Sequence, residues 1–229
     1  MQGAAILFSE MTPAPAWEGE FNEWYDSEHI PLRMAAPGFA SARRYKSLKD
    51  DSYLAVYETE ALAAFKTPAY DKIKGRPSDL TKRMLADVTG FTRYLGEQIG
   101  EHVDEKRRAA HAGDAPLEAP VLYAVFFNVP AERQADFDAW YEQDHVPLLL
   151  KCEDWLMCRR FRVTDGAPGN YNRLALHYLK DVRALESPQR AEARATPWRA
   201  KLAGEPWFSG HYLTFAAHRP RQRGVGGCL

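Results

Sequence analysis

The sequence predicts an α+β protein built from two copies of one β-α-β-β-α-β unit, and three observations predict it. Residues 21–31 read FNEWYDSEHIP and residues 137–147 read FDAWYEQDHVP. Five positions are identical (Phe, Trp, Tyr, His and Pro) and four exchange like for like: Asn22/Asp138, Asp26/Glu142, Glu28/Asp144 and Ile30/Val146. The offset is 116 in a chain of 229, so a tandem duplication is the first reading. Each half then runs through the same succession of strand-like and helix-like segments. The composition, 45% hydrophobic and 27% charged, is that of a chain able to bury two cores of roughly 100–120 residues each.

In the first half, Ala4–Met11 is a compact apolar run suited to a buried strand, broken by Thr12-Pro-Ala-Pro15. Trp17–His29 has helical spacing, with Phe21, Trp24, Tyr25 and His29 on one face. Pro31 disfavours helical geometry at Ile30, so the helix is expected to stop close to His29. Pro37-Gly38 marks a turn. Phe39–Ser47 and Tyr53–Thr59 are a strand pair, Glu60–Ala86 is helical with an interruption near Gly75–Pro77, and Thr89–Leu95 is the last strand.

The second half repeats the order: Val121–Val129, a helix over Ala131–His145, strands at Trp155–Thr164 and Arg173–Leu179, a helical segment at Asp181–Leu202, and Phe208–Ala216. This is the split βαβ, or ferredoxin-like, motif. Each unit packs its helices on one sheet face, so two copies packed sheet to sheet cover each other and leave a cavity between sheet and helices in each half. The domains follow as 1–99, a linker at 100–119, 120–218, and a basic, glycine-rich tail at 219–229 expected to fray.

A net charge of −1 and no concentrated basic surface speak against a nucleic-acid partner. No apolar run approaches the ~20 residues of a membrane helix, and the start lacks the basic region of a signal peptide. The three cysteines, Cys152, Cys158 and Cys228, are odd in number and lack CxxC spacing, which argues against a disulfide framework and a zinc site. A reducing cytoplasm is the default.

The candidate chemistry lies in the repeated phrase. His29 and His145 are read as ending their helices, where the dipole favours an imidazolium by a fraction of a kcal/mol to about 1. Tyr25 and Asp26, at i−4 and i−3 from His29, share its face, as Tyr141 does for His145. That equipment suits general acid chemistry or the holding of a carboxylate or enolate, while burial would oppose the charged form. The plainer reading is a histidine that caps free helix carbonyls. On the following strand, Arg43-Arg44-Tyr45-Lys46 aligns with Arg159-Arg160-Phe161-Arg162. Alternation puts Arg43 with Tyr45 and Arg159 with Phe161, so Arg43 and Arg159 are taken as the inward anion anchors, against salt bridges elsewhere. Trp24 and Trp140 are candidate pocket walls. His177 and His211 lie on strands of the second half only, and His177 is taken as a substrate contact. His102 and His111 fall in the linker.

The phrase Trp-Tyr-x-x-Glu/Asp-His-Ile/Val-Pro in two β-α-β-β-α-β units resembles the dimeric α+β barrel superfamily, and within it the EthD-like group, over roughly residues 3–97 and 120–217. The resemblance implies an intrachain α+β barrel, a pocket faced by the motif histidine, and a monomer with an intrachain pseudo-dimer or a homodimer. It also implies a range of activities. The leading one is a cofactor- and metal-free enzyme (isomerase, lactone hydrolase, decarboxylase or cyclase) acting on a small aromatic or lactone-like acid through histidine acid/base chemistry. Alternatives are a non-catalytic binding or stress protein, a cofactor-independent monooxygenase, and a haem-binding relative with His177 or His211 as axial ligand.

Overall fold

The structure of the chain, a computed structural model, describes residues 3–104 and 114–224. It divides into two units, one of residues 1–97, 165–168 and 218–229, the other of residues 98–164 and 169–217. The α+β class expected from the sequence is observed.

The first unit begins with β1 (Ala5–Met11), buried at every position, which is why its sequence reads as a continuous apolar run. A helical stretch follows: α1 (Glu18–Trp24), a five-residue π turn over Tyr25–His29, and α2 (Ile30–Met34). Then come β2 (Phe39–Ser47), β3 (Tyr53–Thr59), α3 (Pro68–Gly75), α4 (Asp79–Asp87) and β4 (Arg93–His102), of which residues 93–97 belong to this unit. β1 lies between β3 and β4, and β2 flanks β3, all antiparallel. Thr67 and Ser78 cap α3 and α4 through their side-chain oxygens, which breaks the expected helical segment in two.

The second unit repeats this with β5 (Val121–Phe127), α5 (Gln134–Trp140), a π turn over Tyr141–His145, α6 (Val146–Leu149), β6 (Trp155–Ala167, residues 155–164 in this unit), β7 (Arg173–Leu179), α7 (Pro188–Arg194), α8 (Pro197–Ala203) and β8 (His211–Ala217). β5 lies between β7 and β8, with β6 beside β7. The register repeats as well: Leu7 faces Tyr57 as Tyr123 faces His177, and a bulge interrupts both Phe39/Ser41 and Trp155/Met157.

Three expectations are corrected. The helix does not stop near His29: it continues to Met34, and its counterpart passes His145 to Leu149. The Ile30 N–H bonds to the Tyr25 carbonyl, five residues back, and the Val146 N–H to that of Tyr141. This wider turn restarts the helix so that Pro31 and Pro147 fall in its first turn, where a missing N–H costs nothing. The strand expected at Thr89–Leu95 starts later and runs to His102, into the segment read as linker, of which residues 105–113 lie outside the described residues. The tail is anchored as far as it is described. Gln222–Arg223 forms β9, paired with β2, and Arg221 makes a buried ion pair with Glu58.

Gly38, in the expected Pro37-Gly38 turn, has φ +82, and a Cβ there would lie 2.9 Å from the Ala64 Cβ. Gly38→Ala is therefore expected to cost about 1–3 kcal/mol of stability, read as a lower urea midpoint with unchanged slope.

Candidate active site in the second unit

The second unit holds a cleft between its sheet and its helices. The strands contribute Tyr123, Val125 and Phe127 from one face of β5, Trp155 from β6, His177 from β7 and Tyr212 from β8. The helical layer contributes Trp140, Tyr141, His145 and Leu149, and Arg190, Arg194 and Arg199 come from α7 and α8. Counted with its open mouth the cleft has about 410 Å³ of empty space, but only about 30 Å³ is wide enough for a water. Entry of a larger molecule requires side chains of the lining to move.

The π turn decides what the histidines touch. Closing the turn five residues apart brings Trp140 against His145 at 4.7 Å between ring centroids, and Trp24 against His29 at 4.3 Å. His145 Nδ1 lies 3.2 Å from the Ala193 carbonyl oxygen. That oxygen only accepts, so Nδ1 carries the proton. Nε2 makes no hydrogen bond among the described residues and is left as a base. Burial, opposed by the Ala193 bond and assisted by Arg199, Arg194 and Arg190, holds the His145 pKa down at about 4.

A second chain of logic fixes a proton on Tyr141. Trp155 Nε1–H donates to His177 Nδ1 at 3.1 Å, and His177 Nε2 lies 3.0 Å from the Tyr141 hydroxyl. An indole N–H can only donate, so His177 Nδ1 accepts. Burial pushes the His177 pKa well below the usual value, with His145 and Arg190 adding to the effect. The neutral ring therefore has its proton on Nε2 and donates it to Tyr141. The Tyr141 hydrogen is left to point elsewhere, and burial keeps that phenol protonated by raising its pKa well above 10. Trp155, His177 and Tyr141 form a one-way relay ending in an O–H donor. The Trp140 Nε1–H is also buried without a hydrogen-bond partner.

The first unit lacks this arrangement. Tyr57 and Phe39 stand where His177 and Trp155 stand, and the Tyr25 hydroxyl donates to the Met11 thioether at 3.8 Å. His29 is buried and held neutral, its pKa lowered chiefly by desolvation, with Arg33 and Arg44 adding to it. Of the two opposing effects weighed for these histidines, burial wins over the helix dipole in both, leaving two neutral rings inside a continuous helix. Trp24 closes the packing around His29, its Nε1 bonded to Thr81.

Two further expectations change. Asp26 does not face His29; it takes Arg44 at 3.1 Å and Arg219 at 2.8 Å. Arg43 and Arg159 line neither described cavity: Arg159 bonds Gln98, and Arg43 lies near the Tyr45 ring. Their neighbours turn toward the helices instead. Arg44 stacks over Tyr25 at 4.3 Å and bonds Asn22, and Arg160 stacks over Tyr141 at 5.0 Å and bonds Asp138 and Glu142. β2 is buried on both faces through Tyr45, so alternation carried no polarity signal there. The arginines that do line the cleft were not singled out from the sequence. Their signal was Arg190 and Arg194, four apart on a helix, followed by Arg199.

Among the described residues no group of histidine, cysteine and carboxylate side chains could hold a metal ion, and no helix is long and apolar enough to cross a membrane. Cys152 and Cys158 are buried free thiols, and Cys228 lies outside the described residues.

No protein-family model matches the chain. No curated protein matches it in sequence. Solved structures do match in fold. An anthrone oxidase-like protein aligns over 98% of this chain and 96% of its own with a TM-score of 0.65 and 11% identity. A protein from Fusobacterium nucleatum subsp. nucleatum, assigned as a monooxygenase, covers 97% and 96% with a TM-score of 0.60 and 11% identity. A mutant chlorite dismutase from Candidatus Nitrospira defluvii, in complex with cyanide, covers 96% and 92% with a TM-score of 0.59 and 10% identity. At such identities the likeness concerns the fold alone.

Proposed function

We propose that the second unit is a small-molecule enzyme acting on a planar, anion-forming organic substrate, with His145 as general base. One observation carries this reading: a neutral histidine with a free Nε2, a tyrosine oriented as a donor and three arginines converge on one aromatic cleft. His145 Nε2 takes a proton from a C–H or O–H group conjugated to a carbonyl. The Tyr141 O–H donates to the oxygen on which charge develops, and Arg190, Arg194 and Arg199 hold the resulting enolate or phenolate. Tyr141 needs no ionisation in this scheme.

Such an anion can be reprotonated elsewhere, lose carbon dioxide, close a ring or react with oxygen. Oxygenation is favoured here because two neighbours in fold have names that point to it. Neither histidine considered as an axial haem ligand is placed for that role. Both His177 nitrogens are engaged, and His211 is exposed and stacked on Tyr171. We further read the two units as a tandem duplication nearest the EthD-like group, supported by the shared offset, π turn and bulge. We assign the protein to the cytoplasm, as a monomer or homodimer.

Anthrone is a suitable probe, since its conversion to anthraquinone consumes one dioxygen and releases one water. Substrate-dependent oxygen uptake is expected, reduced about 100-fold or more in His145→Gln, with Tyr141→Phe lowering kcat and Arg194→Gln raising KM. The wild-type rate is expected to stay level down to about pH 5 and to fall as His145 protonates near 4. Uptake unchanged in His145→Gln would remove the base from the scheme. Deuterium exchange into an enolisable acid without oxygen uptake would keep the base and remove the oxygenation.

A further inference from the structure

We propose that the first unit carries a separate binding site, for an organic carboxylate with an apolar body, in the cavity beside His29. This cavity has a volume of about 320 Å³, within the range of ordinary ligand pockets. It is bounded by α2, α3, α4 and the turn between the last two, and no strand residue lines it. The site does not depend on the chemistry proposed for the second unit.

Charge identifies the ligand's head. Arg33, Lys72, Lys74 and Arg76 line the cavity, and no aspartate or glutamate does. Lys74 is paired with Asp71 at 3.1 Å. Lys72 and Arg76 are exposed and make no ion pair among the described residues. Arg33 is already oriented: its Nη1 donates to the His29 carbonyl at 2.8 Å, and its guanidinium lies 5.6 Å from the centre of the Tyr57 ring. The nearby Glu28 carboxylate is occupied by the Ser78 and Thr81 hydroxyls, at 2.5 and 2.6 Å. Those bonds hold the Glu28 carboxylate on the hydroxyls, and it makes no ion pair with the lining cations among the described residues.

The wall and the floor identify the rest. Leu32, Ile73 and Leu85 supply an apolar lining, and Leu32 and Leu85 are 46% and 42% exposed. On the floor His29 is 3% exposed, yet its ring makes no hydrogen bond among the described residues. A neutral imidazole has one N–H to donate, and neither His29 ring nitrogen is among the fully buried atoms without a partner, so that donor is reachable from the cavity. A carboxylate in the cavity supplies the acceptor, the cations hold its charge, and the leucines cover an apolar body.

The test is a titration of the full, ¹⁵N-labelled chain with 1-naphthoate, and separately with neutral 1-naphthamide. Naphthoate is expected to shift the amide signals of residues 29–34 and 72–78, with the amide binding about tenfold more weakly. Lys72→Gln with Arg76→Gln, both at exposed positions, is expected to weaken naphthoate about tenfold while leaving the thermal midpoint unchanged. Equal affinity for acid and amide, unchanged naphthoate binding in the double variant, no shift at millimolar naphthoate, or shifts confined to residues around Arg190–Arg199 would each overturn the proposal. None of these outcomes bears on the turnover of His145→Gln, so the two readings fail separately.

Discussion

Replacing Glu58 by alanine is expected to lower the unfolding free energy by about 3–5 kcal/mol. Its carboxylate and the Arg221 guanidinium are almost completely buried, 2.8 Å apart. Ser41 closes the triangle: Arg221 Nε–H donates to its hydroxyl at 2.9 Å, and that hydroxyl donates to Glu58 at 2.9 Å. Loss of the carboxylate removes the counter-charge that lies 2.8 Å from an almost completely buried guanidinium, which cannot shed its proton. Glu58→Gln keeps an acceptor but drops the charge, so an intermediate loss is expected. Glu58→Leu combined with Arg221→Met is expected to recover most of the stability, since a buried pair is often no better than apolar groups of similar volume. Urea unfolding with constant slope measures all three. A loss under about 1 kcal/mol in Glu58→Ala would mean that the pair is solvated or dispensable.

Acidification is expected to be the second large effect. His29 and His177 have pKa values driven well below 6.5 by burial, and His145 sits at about 4. The unfolded chain therefore binds more protons than the folded one between pH 6.5 and the depressed values. Stability rises with pH across that window and drains away as pH falls through it. For His145 the displacement from 6.5 to about 4 corresponds to about 3 kcal/mol. His177 has a specific reason to resist: a proton on Nδ1 would face the Trp155 N–H and break that bond. Glu10 works in the opposite direction, because burial raises its pKa to about 7 and the folded state then holds a proton that the unfolded one releases. One carboxylate offsets about one histidine, which leaves the other two, together with His218 at about 4 and the lowered His102, to set the sign. The unfolding free energy is expected to be flat above pH 7 and to fall steeply from 6.5 toward 4.5. His177→Gln, weaker at neutral pH, is expected to show a shallower fall. Constant stability down to pH 4.5 would contradict the neutral, buried state of these rings.

Much of the candidate site was legible, but as residue types and not as geometry. The repeated Trp-Tyr-…-His-x-Pro phrase named Trp140, Tyr141 and His145, all of which line the cleft, and His177 was picked from its strand. What those residues do there depended on partners the phrase does not contain. The proton on Tyr141 follows from Trp155, and that on His145 from the Ala193 carbonyl, 48 residues away. The arginines went unread because an arginine on an amphipathic helix is ordinarily a solvated one.

The sequence by itself determined the order of strands and helices and the halving of the chain, because these rest on periodicity and turn residues within a few positions. Only tertiary structure decided that Pro31 would restart the helix through a π turn, that Arg44 and not Arg43 would face the helices, and that Tyr57 and His177 would make the two units chemically unlike. It also decided that Arg221, 163 residues from Glu58, would be its buried partner. Each of these outcomes turns on which distant groups satisfy a buried polar atom. A local pattern reports that such an atom is present, and only the packed fold supplies the atom that meets it.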